Sequence, residues 1–302
     1  MADKLVRRQH TVSRFYLAGF AAEGRTLVRV PLADPSSAHS VGVSDATVVK
    51  DFYSLDWGDG ELDDFFEHAF GEVEGLAAPA LRRALDPASR WPLDKDDKAV
   101  LALWVALQHL RSESIRTTRT NVNALMIRLV VGTSGKAALR RHIEKSEGEA
   151  ISDDRLDAEW HDLTQTGGTE MSDDVAGHLT SISETLSPTA HMLYDQQWSL
   201  DYFERKALVT SDHPVVMLPR PGAAEWEGIG LATAGGFAVP LDRRSALVIG
   251  ASPDLPDMRV PGNAALANRV NAGVAANARR AVYHHPDDRE VLRGLKLPPV
   301  RR

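Results

Sequence analysis

The chain has 302 residues, 43% hydrophobic and 25% charged, so it holds enough apolar material for a packed core and is not of a disordered type. Its 42 Asp and Glu outnumber 35 Lys and Arg, and the net charge of -7 does not favour nucleic acid as a partner, although it leaves room for a local basic patch. There is no cysteine, which excludes disulfides, thiolate-held metals, iron–sulfur clusters and a thiol nucleophile, and makes the cytoplasm the expected compartment. No apolar run nears the roughly 18–20 residues that cross a bilayer, and Met1–His10 lacks the apolar centre of a signal peptide, so no membrane association is expected.

Val12, Phe15 or Tyr16, and Phe20 lie at near-helical spacing and predict a short helix from about Thr11, ended by Gly24. Thr26–Leu32 alternates apolar and polar residues and Thr47–Leu55 does so less cleanly, which predicts two strands that pair with each other. From Glu61 to about Leu85, Leu62, Phe65, Phe66, Phe70, Val73 and Leu81 recur at three and four, an amphipathic helix with a kink or break expected near Gly71, Gly75 and Pro79. Asp94 to about Val131 keeps that period from an acidic start, as one helix or as two meeting near Thr117–Thr120. Lys136–Ser146 and Asp153–Leu163 read as short charged helices, and Ser172-Asp-Asp-Val is an N-cap signature for a helix reaching about Met192.

Beyond Tyr194 the pattern changes to short β-type runs: Trp198–Phe203, Ala207–Thr210, Val215–Leu218, Gly236–Val239 and Ser245–Ile249. Asn263–Arg280 then reads as a closing helix and Ala281–Tyr283 as a last strand. The expected fold is α+β in a single domain over residues 1–302, with a mixed or antiparallel sheet built from the N- and C-terminal segments. Residues 1–60 supply a helix and strands, 61–194 a large central helical lobe, and 195–302 a sheet and closing helix.

The common catalytic signatures are missing: no dinucleotide-type or Walker-type glycine loop, no nucleophile elbow and no zinc-peptidase spacing. His284-His285-Pro286-Asp287-Asp288 reads as an exposed turn, because adjacent side chains diverge. The carboxylates from Glu61 to Glu74 read as a solvated helix face, yet Glu67 and Glu74 share one side at i and i+7. Small residues after Glu74, at Gly75, Ala77 and Ala78, let another element come close, and a buried carboxylate needs a partner. Gln108 and Arg111 share the apolar side of the long helix with Trp104, so Arg111 is expected to pair with Glu74 or Asp212, if only as a structural pin. Thr210-Ser211-Asp212-His213-Pro214 sits at a strand-to-strand junction and reads either as a turn or as a place where functional groups emerge.

Several of these segments recur together: His10, Val12, Tyr16, Leu17 and Phe20; Asp51-Phe52-Tyr53; Glu74-Gly75; Gln108 with Arg111; Thr210-Ser211-Asp212 with Pro214; Pro240-Leu241; and Asn271. In that order they resemble a bacterial family known as a domain of unknown function, family 4238, over nearly the whole chain. Ser13 stands where the family's opening usually has proline. The resemblance implies one polar constellation of His10, Tyr16, Glu74, Gln108, Arg111, Asp212 and Asn271. Converging, Glu74 and Asp212 would hold a divalent cation, with His10 as ligand or acid/base and Asp212 and Glu74 as catalytic groups. Tyr16, Gln108, Arg111 and Asn271 would bind substrate, Arg111 steadying a phosphate, in a metal-dependent hydrolase of phosphoesters or nucleic acid. Two alternatives stay open: a non-catalytic sensor or interaction protein of defence or stress, with the cluster structural, and a metal-free enzyme clamping a small molecule between Asp212 and Arg111.

Overall fold

The computed structural model describes residues 5–56, 62–164, 175–224, 227–250 and 254–299. The fold class is α+β. Contacts divide it into two compact units, one made of the chain up to Ser114 and from Val175 onward, the other of the segment that starts at Ile115. The expected start of the second helix at Glu61 and the N-cap signature at Ser172 lie outside the described residues.

In the first unit β1 (Arg8–His10) leads into the one-turn helix α1 (Arg14–Leu17), which buries Tyr16 and Leu17. Strands β2 (Thr26–Pro31), β3 (His39–Gly42), β4 (Val48–Lys50), β5 (Leu55–Asp56) and β6 (Leu62–Asp63) follow. The expected pairing of the two N-terminal strand runs does not occur. β4 instead pairs with β1, Gln9 opposite Val49, and β2 lies between β3 and a strand from the far end of the chain. Alternation fixes which face of a strand is buried but says nothing about which strand lies beside it.

Helix α2 (Phe65–Leu85) runs as one element through Gly71, Gly75 and Pro79, burying Phe70, Ala77, Ala80, Leu81 and Ala84. Packing of that face on the next helix, α3 (Lys95–Leu110), outweighs the weak local propensity. Asp94 caps α3 by accepting the Asp97 backbone N–H at 2.8 Å. α3 ends at Leu110 with Arg111 as its C-cap, earlier than the expected junction near Thr117–Thr120, and the Ser112 hydroxyl donates to the His109 carbonyl at 2.9 Å where the ladder stops. Helix α4 (Glu113–Ser134) begins directly afterwards.

The second unit contains α4 from Ile115, then α5 (Lys136–Glu147) and α6 (Asp153–Thr164). α4 and α5 are bent by 112°, and a small core of Leu139, Ile151 and Leu156 lies within the unit. Among the described residues no single helix is long and apolar enough to cross a membrane.

The first unit resumes with α7 (Val175–Tyr194), which packs on α3. The remaining elements are β7 (Trp198–Tyr202), β8 (Thr210–Ser211), β9 (Val216–Leu218), β10 (Gly236–Asp242), β11 (Ser245–Ile249), β12 (Met258–Pro261), α8 (Ala264–Asn277) and β13 (Ala281–His284). A five-stranded sheet runs β12-β7-β11-β10-β9, antiparallel except for β12 beside β7. A four-stranded sheet runs β3-β2-β13-β8, and here the two ends of the chain do share a sheet. Its central strand β13 is buried throughout, so the supposed exposed turn at His284-His285 is wrong: both histidines are buried. His285 Nδ1 accepts the Asp287 backbone N–H at 3.2 Å and so caps the short helical turn that follows β13.

Close approach shapes one contact. Gly273 of α8 faces β9, and a Cβ there would stand 2.5 Å from Val216 Cγ1. Gly273→Ala is expected to destabilise by about 1–3 kcal/mol through overpacking. A thermal scan beside Gly71→Ala, where nothing lies within 4 Å of the added carbon, checks this: only the first should lower the midpoint.

Candidate functional site

The N-terminal segment crosses the middle of α3, and a dense polar network forms there. Ser13 is fully buried, and its hydroxyl receives the Trp104 indole N–H at 2.9 Å and an Arg111 N–H at 2.8 Å. The same hydroxyl can donate to Glu74 Oε1 at 2.9 Å or to Gln108 Oε1 at 3.1 Å. Gln108 closes the network, accepting the Ser13 backbone N–H at 3.2 Å and donating to the Thr11 carbonyl at 3.0 Å. Trp104, Gln108 and Arg111 reach one place because they are spaced i, i+4 and i+7 on α3.

Of the two carboxylates expected for Arg111, Glu74 takes it, with a 2.8 Å ion pair between a guanidinium 2% exposed and a carboxylate 23% exposed. Burial works against the Arg111 charge, but Glu74, with Tyr53 and Glu67 adding, holds it above its ordinary value. The Arg111 backbone carbonyl accepts from the Tyr53 hydroxyl at 3.1 Å, which ties the end of α3 to the loop before β5.

One turn-pair away on α2, Glu67 is half-buried on the side of Glu74 and makes no ion pair among the described residues. Burial pushes its carboxyl from 4.5 to about 7, Glu74 reinforcing the shift, while Arg111, the His10 backbone N–H and His68 oppose it. His10, half-buried in β1, turns its backbone N–H to Glu67, and the Glu74 charge acts on its ring. Burial lowers its imidazole below the ordinary value, with Arg14 and Arg111 adding, against the Ser44 carbonyl and Glu74. His10 Nε2 lies 3.2 Å from the Ser44 carbonyl, which can only accept, so the neutral ring carries its proton on Nε2 and leaves the Nδ1 lone pair free. Arg14 is exposed and makes no ion pair among the described residues.

The other expected site residues take separate partners. The Tyr16 hydroxyl is 2.7 Å from Thr210 Oγ1, and burial raises it. Asn271 of α8 accepts the Val209 N–H and donates to the Ala207 carbonyl, both at 3.0 Å, and so substitutes for a strand neighbour. Asp212 accepts backbone N–H groups of Arg279, at 3.1 Å, and Arg280, at 2.9 Å, anchoring the link from α8 to β13. Burial still raises its carboxyl, against those donors. His213 does not couple to Asp212: its Nε2 is 3.3 Å from His109 Nδ1, and burial holds His109 at about 4 and His213 well below its ordinary value.

Glu74 and Asp212, expected to share a cation, are thus engaged by different groups. Among the described residues, no group of three or more His, Cys, Asp or Glu is placed to hold a metal ion. The sequence singled out Glu67 only for its side of the helix and Ser13 only for standing in place of a proline, so neither was expected in the site, and Arg14 was not singled out at all. The i, i+7 spacing of Glu67 and Glu74 was the available signal for Glu67; for Ser13 it was only the replacement of a proline, since a serine in a Thr-Val-Ser run otherwise looks like any other.

Residues 8–288 match the model of the family described as "Protein of unknown function (DUF4238)", and the chain belongs to that family. No curated protein matches it, and neither does any solved structure.

Proposed function

We propose that the protein is a bacterial, cytoplasmic hydrolase of phosphoesters that works by general acid–base catalysis at Glu67 and His10. The observation that carries this reading is Glu67, a half-buried carboxyl without an ion-pair partner among the described residues, pushed to about 7 beside a histidine held neutral. Two neighbouring groups whose surroundings favour opposite protonation roles near neutral pH are suited to acid and base work.

In the proposed reaction, His10 Nδ1 takes a proton from water as the water oxygen bonds to phosphorus. The bond from phosphorus to the leaving oxygen breaks, and the protonated Glu67 carboxyl donates its proton to that oxygen. The products are the alcohol and the phosphate, with His10 protonated and Glu67 ionised. Proton exchange with solvent restores both. Arg14, the open cation beside His10, steadies the phosphate, while Glu74 keeps Arg111 paired and its charge fixed near Glu67. No step passes through Asp212.

A second reading, a non-catalytic interaction protein, is favoured by the inward hydrogen bonds of Tyr16, Asn271, Gln108 and Asp212. The test is hydrolysis of 4-nitrophenyl phosphate and bis(4-nitrophenyl) phosphate by the full chain from pH 5 to 9, with EDTA or with added Mn²⁺. Turnover that falls on the alkaline side of about 7 and is lost in a folded Glu67→Gln variant supports the hydrolase. No turnover of either ester by the folded protein under any of these conditions overturns it in favour of the second reading.

A further inference from the structure

The five-stranded sheet carries a second feature, unrelated to the Glu67 site. A cavity of about 590 Å³ opens between its face and α8, a volume in the range of small-molecule sites. Its walls are apolar, with Val260 of β12, Val248 of β11 and Leu266 and Val270 of α8 among them. Its polar floor comes from β7, where Ser199 and Asp201, two residues apart, point to the same side.

Asp201 is 7% exposed. The Ser199 hydroxyl donates to its Oδ2 at 2.8 Å, and Oδ1 has no partner among the described residues. Asp201 makes no ion pair among the described residues, and burial raises its carboxyl, with Ser199 opposing. Carboxylates are seldom buried without a compensating positive group, so a lone one on the floor of an apolar cavity is complementary to a cation brought from outside. Arg269 of α8 lines the same cavity but is exposed and makes no ion pair among the described residues. It therefore marks a second, separate polar end.

We infer that this cavity is a binding site for a small organic ammonium compound with an apolar body, its cationic end on Asp201 Oδ1 and an acidic end, where it has one, on Arg269. Both charged ends are set by the walls between them: an apolar chain buries against Val260 and Val270 while its ammonium replaces the missing partner of Asp201.

Three probes of one chain length separate these contributions: hexan-1-ol, hexylamine and 6-aminohexanoate, titrated at pH 7 into the full-length protein by calorimetry and by NMR of the Val methyl groups. The affinity should rise in that order, hexylamine exceeding hexanol by about tenfold or more. Asp201→Asn, which keeps the shape and the Ser199 hydrogen bond, should remove the advantage of hexylamine over hexanol. Arg269→Met should remove only the further gain of 6-aminohexanoate. Val260→Phe, which fills the cavity, should weaken all three, and the thermal midpoint of each variant confirms that it is folded. Equal binding of hexanol and hexylamine, an unchanged hexylamine affinity in folded Asp201→Asn, or no binding of any probe up to its solubility overturns the inference.

Discussion

An Arg111→Met variant is expected to lose about 3–5 kcal/mol of unfolding free energy, a large share of the 5–15 kcal/mol typical of a whole protein. The reason is what the guanidinium leaves behind. Glu74 loses its ion-pair partner, and the Ser13 hydroxyl and Gln108 carbonyl lose a donor in a place that water barely reaches. Adding Glu74→Gln should restore part of the loss, because the uncompensated charge is then gone. Urea unfolding of the single and double variants checks both statements. A loss below about 1 kcal/mol in Arg111→Met would mean that the pair behaves like a solvent-exposed bridge.

The second large effect is at Glu67. Replacing it with glutamine should reduce phosphoester turnover by about 10²–10⁴-fold, the usual contribution of a positioned general acid. Stability should respond in the opposite sense. The folded protein keeps the Glu67 proton up to about pH 7, while the unfolded chain releases it near 4.5. Between those values the folded state holds more protons, so this group makes the protein less stable as pH rises through the window. Glu67→Gln cannot ionise and should be free of that decline. Its advantage over the wild type should be absent below pH 4.5 and complete above about 7. The size is about 1–2 kcal/mol, since solvent screens a carboxyl that remains partly exposed. Loss of activity with gain of stability at pH 8 separates a catalytic Glu67 from a structural one, for which both would fall.

How far these features could be read from the sequence depends on whether they arise from local order. Helical period located α2 and placed Glu67 and Glu74 on one side, because spacing on a helix fixes direction. It could not locate the end of α3, which coincides with the capture of the Arg111 side chain by Glu74 and Ser13, 37 and 98 residues away along the chain. Alternation found β2 and β4 but not their partners, since β13 lies at the other end of the chain. Strand β3, His39–Gly42, has little β-type character, and β12, at the edge of its sheet, ends in Pro261, a residue that weakens any strand assignment from sequence. The wider constellation illustrates a different limit. Tyr16, Asp212 and Asn271 are polar residues in apolar segments, and residue type alone does not distinguish a group that waits for a substrate from one that completes the backbone hydrogen bonds of its own fold.

The most direct test of the acid–base account is a ¹³C NMR titration of the Glu67 carboxyl in protein labelled at glutamate, its signal assigned by its disappearance in Glu67→Gln. A midpoint near 7, moving when Glu74→Gln removes the neighbouring negative charge, is the predicted result. A midpoint at the ordinary 4.5 would contradict the account, because a carboxyl fully ionised at neutral pH has no proton to give a leaving group.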